Sequence, residues 1–196
     1  VAGATALSPD FSVSPPNLNG WPSPTALNHS GPLTGSADVF VARISSNGTA
    51  LALDYLTFIG GTGSDYPTGL GVDNGFNVYI AGNTGSSDFP TVNGLQSSAS
   101  GSHGFLSKLD PGANLLYSTY IGGSGSDSVS DLAVDTRGHA YAFGITSSSD
   151  LPVTAGALQP TYPAGVTNQF FFAKFDPAQN GANPSKGWSF ESQQSG

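Results

Sequence analysis

The sequence predicts an all-β protein of propeller-type blades, each a four-stranded antiparallel sheet, with about three blades in an incomplete ring. Three observations carry this. Ile59 to Thr84, IGGTGSDYPTGLGVDNGFNVYIAGNT, returns 62 residues later as IGGSGSDSVSDLAVDTRGHAYAFGIT from Ile121 to Thr146. A repeat period of this kind marks a repeat architecture. The apolar residues are β-branched and aromatic and fall in short alternating runs, which is the period of strands. The 27 Gly and 14 Pro read as turns between them.

Taken in order, the chain opens inside a repeat. Val1–Phe11 (VAGATALSPDF) parallels Ile80–Phe89 and Ala142–Leu151. No initiator Met and no signal peptide are present, so the numbered chain is expected to be a processed or partial product. Pro/Gly/Ser-rich connections follow at Ser12–Ala37, Pro90–His103 and Pro152–Asn168. Next comes a strand, written VFVARI at Val39–Ile44, GFLSKL at Gly104–Leu109 and FFFAKF at Phe170–Phe175. After a turn, another strand is predicted at Leu51–Ile59, Leu115–Ile121 and Gly187–Glu191. The remaining two strands of each blade form a hairpin. Its first strand is Gly69–Asp73 or Asp131–Asp135, and its second is Val78–Asn83 or Ala140–Ile145, with Val1–Thr5 as a remnant. Asp73-Asn74-Gly75 and Asp135-Thr136-Arg137-Gly138 supply the tight turns, where Gly and Asn take positive φ cheaply. Three units follow: a partial first blade with a long loop (1–58), a second blade (59–121) and a third (122–196).

Apolar residues occur on both faces of the VFVARI and FFFAKF strands, which predicts a sheet covered on both sides. Small residues at Gly69, Gly71 and Ala133 suit the crowded innermost strand of a blade. Arg43, Lys108 and Lys174 share one register and are expected as edge or surface charges.

Charge is scarce, with five Lys+Arg against thirteen Asp+Glu and a net charge of -8. No basic cluster exists to neutralise phosphate or an anionic membrane surface, so nucleic acid is not an expected partner. No apolar run approaches a membrane span. Cysteine is absent, which excludes disulfides and thiolate metal sites. Low charge, the Ser/Thr/Asn/Gly bias and the glycosylation triplets at Asn28 and Asn47 favour a secreted or cell-surface protein.

The repeated elements resemble the bacterial SBBP seven-bladed β-propeller repeat, related to NHL-type repeats. The resemblance rests on Asp38-Val39-Phe40-Val41-Ala42-Arg43-Ile44, on Tyr117-Ser118-Thr119-Tyr120-Ile121-Gly122-Gly123 with Asp127, and on Ala133-Val134-Asp135 with Gly138-His139-Ala140-Tyr141. Gly82-Asn83-Thr84-Gly85-Ser86-Ser87-Asp88-Phe89-Pro90 completes it. It implies an extracellular or cell-surface bacterial protein with no established catalytic residues. The last copy lacks the Gly-Gly-x-Gly-x-Asp stretch, and about eleven strands fall short of the roughly sixteen of a four-bladed ring. Other copies, or further segments of the polypeptide, are therefore expected to complete the sheets.

Gly60-Gly61-Thr62-Gly63-Ser64-Asp65 and Gly122-Gly123-Ser124-Gly125-Ser126-Asp127 match the Gly-Gly-x-Gly-x-Asp of calcium-binding β-rolls. Rolls stack such turns every nine residues or so and share each ion between neighbours, a geometry that a spacing of 62 does not give locally. Two readings stand side by side. One is a structural blade crossing in which Asp65 and Asp127 cap turn amides. The other is a calcium site using Asp65 and Gly61, or Asp127 and Gly123. No other cofactor is expected.

Asp10, Asp88 and Asp150 read as turn residues backed by apolar plugs. His29, His103 and His139 hold unrelated positions, with His139 standing where Asn77 does, and no His pair has metal spacing. No catalytic residue is assigned and an enzyme is not expected. Trp21 and Tyr162 in the long connections could stack on a sugar ring or on a protein partner, or could pack their own loops. The leading expectation is a structural or assembly protein of the bacterial cell surface, a fibre or matrix component. The alternative is a propeller module that binds carbohydrate or protein.

Overall fold

A computed structural model describes residues 2–5, 27–30, 35–46, 48–49, 51–99, 101–154, 157, 161, 167–176 and 188–193. Twelve strands lie among them: β1 (Ala2–Thr5), β2 (Leu27–Ser30), β3 (Asp38–Ser46), β4 (Leu51–Ile59), β5 (Asp65–Val72), β6 (Val78–Thr84), β7 (His103–Leu109), β8 (Leu115–Ile121), β9 (Asp127–Val134), β10 (Ala140–Thr146), β11 (Gln169–Phe175) and β12 (Trp188–Gln193). They make three sheets of four, ordered β1-β3-β4-β2, β5-β6-β7-β8 and β9-β10-β11-β12. We call these sheets one, two and three. The fold is all-β, and sheets two and three are antiparallel throughout.

Sheet one departs from the expected blade. Among the described residues it has no counterpart of β5 or β9 on the inner side of β1, and its fourth strand is β2, which runs parallel to β4. β2 falls in the Ser12–Ala37 connection, which the sequence reads as loop. Only pairing with the backbone of β4 selects strand there. The inner strands β5 and β9 are also longer than predicted, beginning at Asp65 and Asp127. Each hairpin absorbs an irregularity, between Pro67 and Gly69 in one and opposite Phe143/Gly144 in the other. A bulge is where a strand tolerates a proline such as Pro67.

The sheets stack face to face. Val39, Val41, Tyr55 and Ile59 of sheet one meet Ile80, Phe105, Leu109 and Tyr120 of sheet two. Tyr79, Ala81, Leu106 and Ile121 of sheet two meet Leu132, Ala140, Ala142, Phe171 and Phe175 of sheet three. β7 sits between both neighbours and is buried at every residue. Gly69 and Gly71 make the inner contact: a β-carbon on either would overlap Leu132 or Val134 of β9. The expected crowding at the innermost strands is met here.

Two local expectations change. Positive φ in the Asp73 turn falls on Phe76 (φ 59°), not on Gly75, and the same turn position holds Gly138 (φ 83°) in the next repeat. Lys108 is not a surface charge. It is buried, with Nζ 5.0 Å from the Tyr79 ring centroid and 4.0 Å from Asp73 Oδ2, so a ring face and a carboxylate replace its water. Arg43 does lie exposed beside Asp54. Among the described residues no helix is long and apolar enough to cross a membrane.

Candidate functional site

The Gly-Gly-x-Gly-x-Asp stretches join β4 to β5 and β8 to β9, so each leads from one sheet to the inner strand of the next, and its glycines present bare amides. The segment after β6 or β10 captures those amides. In the first copy the Gly61 amide donates to Asp65 Oδ2 (2.9 Å), the Thr62 amide to Asp88 Oδ1 (2.8 Å) and the Gly63 amide to Ser86 Oγ (2.8 Å). The second copy repeats this with Gly123 to Asp127 Oδ2, Ser124 to Asp150 Oδ1 and Gly125 to Ser148 Oγ, each at 2.8 Å. Ser86 and Ser148 also donate to the buried carboxylates of Asp65 and Asp127. These donations, from the Thr62 amide above all, hold Asp88 below the ordinary carboxylate range, and the Ser124 amide does the same for Asp150.

Asp88 and Asp150 are thus long-range clamps on a turn 26 residues earlier. The apolar plug behind Asp88 is present: Phe89 is buried with its ring 4.6 Å from that of Phe105. Ser86 and Ser148 were not singled out by the sequence reading. Their recurrence at one offset in GNTGSSDF and GITSSSDL is the signal that could have found them.

The two Gly-Gly turns differ in the group that faces the capping carboxylate. Asp38, His103 and Gln169 open β3, β7 and β11, so they occupy one repeat position. His103 therefore holds a repeat position after all. Its Nδ1 lies 3.1 Å from Asp127 Oδ2, with both residues buried. Asp127 also receives the hydroxyls of Thr146 and Ser148, so both of its oxygens are engaged. In the preceding junction Asp38 faces Asp65. Both are 0% exposed, and among the described residues neither oxygen of Asp38 nor Oδ1 of Asp65 has a hydrogen-bond partner. Burial, and then the charge of Asp65, push the Asp38 pKa up to about 6. Gly60 and Gly122 make room for these pairs, since a β-carbon would overlap Asp38 Oδ1 in one case and His103 Nδ1 in the other.

The hairpin turns form a second repeated network. Asp73 accepts from the Gly75 amide (2.8 Å), Asn77 Nδ2 (2.8 Å) and the Tyr79 hydroxyl (3.0 Å). Burial raises its pKa, but these bonds outweigh burial and hold it below the ordinary value. Burial and this bond to Asp73 drive the Tyr79 hydroxyl well above its usual range. His139, standing where Asn77 does, bonds Asp135 Oδ2 at 2.7 Å.

Sheet three carries a strongly apolar open face. Phe143, Phe170 and Phe172 are 41, 42 and 41% exposed, with Ile145 beside them. The Phe143 and Phe170 rings stack at 5.6 Å, and Phe172 lies 5.9 Å from Tyr141. Alternate residues of β10 and β11 are buried against sheet two.

Of the residues singled out from sequence, Gly61 meets Asp65 and Gly123 meets Asp127, while Trp21 and Tyr162 lie outside the described residues. Among the described residues no group of three or more His, Asp or Glu converges as a metal site. No protein-family model and no curated protein matches the chain.

Proposed function

We propose that this is a non-catalytic structural protein of the bacterial cell surface, built from SBBP-like propeller repeats, which assembles by stacking its sheets onto those of further copies. The observation that carries the reading is the open face of sheet three. Tyr141, Phe143, Phe170 and Phe172 hold the repeat positions of Tyr79, Ala81, Gly104 and Leu106. In sheet two those positions are buried beneath sheet three. The exposed face is therefore a copy of a surface that, one repeat earlier, already binds another sheet of this kind. Large aromatic patches of this sort mark interaction surfaces.

Light scattering on the native particle, with mass spectrometry of the intact chain, tests the reading. The expected native mass is several times the chain mass of 19.8 kDa. It should fall toward a single chain in the double variant Phe170→Ser/Phe172→Ser, whose side chains lie outside the internal junctions. A wild-type particle that stays monomeric at high concentration would remove the assembly reading.

A further inference from the structure

The two Gly-Gly junctions share their turn clamps and differ in the group that faces the capping carboxylate. At the second junction this group is an imidazole, which offers Asp127 a ring N–H or a positive charge. At the first junction it is the carboxyl of Asp38, another acid in place of a base. Three oxygens on two fully buried acids are left without a donor among the described residues. Ionised carboxylates are not stably buried without a compensating charge or donor.

Compensation from the chain itself is lacking among the described residues. Around the same turn the described residues bring Asp88, which clamps it, and the Tyr120 hydroxyl, which donates to the Ser86 carbonyl. The four cations among the described residues lie elsewhere. Arg43 sits with Asp54, Lys108 over Tyr79 and Lys174 over Tyr141, and Arg137 is in the hairpin turn of sheet three.

We propose that Asp38 and Asp65 together bind one calcium ion, which ties sheet one to sheet two as the imidazole of His103 ties sheet two to sheet three. The donor set is two carboxyl groups, purely oxygen, the hard chemistry that suits calcium. Calcium accepts irregular shells of roughly six to eight oxygens completed by main-chain carbonyls and water, whereas magnesium demands a near-ideal octahedron. The site does not use Asp127, so the chain carries one such ion and not one per Gly-Gly turn. This inference does not depend on self-assembly and is tested separately from it.

The test uses the chelator-treated chain near neutral pH, with calcium followed by titration calorimetry and by the thermal midpoint. The wild type should take up one calcium per chain, and its midpoint should rise by roughly 5–10 °C at a hundredfold excess over the dissociation constant. Asp38→His, which copies the second junction, should lose that uptake and unfold at the same temperature with or without calcium. His103→Asp should gain a second site. Because one variant loses an ion and the other gains one, misfolding of either alone does not mimic the full pattern. Calcium uptake that persists unchanged in Asp38→His, or a wild-type midpoint that responds to acid but not to calcium, would overturn the proposal.

Discussion

The junction between sheets one and two and the junction between sheets two and three are the same repeat contact built with different polar chemistry. Both bury an aliphatic and aromatic layer, and both clamp a glycine turn with serine and aspartate. The second is cross-linked by donors placed opposite acceptors. His103 faces Asp127, Asn83 exchanges two bonds with the backbone of Val129, and the Tyr79 hydroxyl lies 2.9 Å from the Gly138 carbonyl. The first has Ala4 where the second has Asn83, and Asp38 where the second has His103. Apolar burial sets that the sheets stack, and a handful of polar positions sets the conditions under which each contact is strong. The two junctions should therefore respond to the same perturbation with opposite signs.

The largest contrast comes from the facing groups. Removing the donor that faces a buried acceptor costs about 1–3 kcal/mol. Asp127 keeps its serine, threonine and glycine donors, but the lost imidazole also leaves a buried void, so His103→Ala should cost about 3 kcal/mol. Asp38→Asn has the reverse effect when calcium is chelated: it deletes a buried charge and gives Asp65 an N–H, and should stabilise by about 1 kcal/mol. Urea midpoints at constant m-value decide between them. Two losses of equal size would mean the junctions are not chemically distinct.

The pH dependence sharpens the contrast, again with calcium chelated. The folded pKa of Asp38 is raised from 3.8 to about 6. Its protonated form is favoured in the folded state, so its contribution is full below about pH 4 and is lost as pH rises through 6. The expected loss is on the order of 2 kcal/mol, and Asp38→Asn should abolish it. The turn carboxylates Asp73, Asp88, Asp110, Asp135 and Asp150 are all shifted the other way. Their stabilisation is present above the ordinary carboxylate value and is lost as pH falls below it. Wild-type stability should peak near pH 4 and decline toward neutrality, while the variant holds a plateau. A wild-type urea midpoint that is flat from pH 4 to 7 would refute the placement of Asp38 in a dry, donor-free contact.

What the sequence discloses and what it hides divide along the range of the interaction. Strands β4 and β8 are legible to the residue because period-two alternation and flanking turns are local signals. The equivalence of His139 and Asn77 is legible because both close a four-residue turn onto an aspartate within the same hairpin. The equivalence of Asp38, His103 and Gln169 is not, since an acid, an imidazole and an amide form no pattern until their partners, a sheet away, are known. β2 is hidden for the same reason, as its strand state comes from β4. Lys108 misleads because a lysine in an alternating strand reads as solvent-facing, and only the stacking of sheet three over Tyr79 removes the water. The turn sequence alone also treats Asp65 and Asp127 as alike. They diverge because one faces a donor and the other an acceptor.

The smallest expected effect isolates one cross-junction bond from its within-sheet counterpart. Tyr79 and Tyr141 hold the same repeat position and both hydroxyls reach the turn aspartate of their own hairpin, at 3.0 Å to Asp73 and 3.1 Å to Asp135. Tyr79 alone also reaches across to the next sheet, at the Gly138 carbonyl, and its ring is fully buried. Tyr79→Phe leaves the ring and its contact with Lys108 in place and removes only the hydroxyl. It should cost about 1 kcal/mol, the usual net contribution of one intramolecular hydrogen bond. Tyr141→Phe, made on the half-open face of sheet three where water replaces the lost bond, should cost less than about 0.5 kcal/mol in the monomer. In an assembled particle the Tyr141 position would itself lie in a junction, and its cost should rise toward that of Tyr79. Measuring both variants above and below the assembly concentration therefore reads out whether the open face becomes a third junction of the same kind. Equal costs for the two tyrosines in the dissociated chain would show that the bond to Gly138 adds nothing to the contact between sheets two and three.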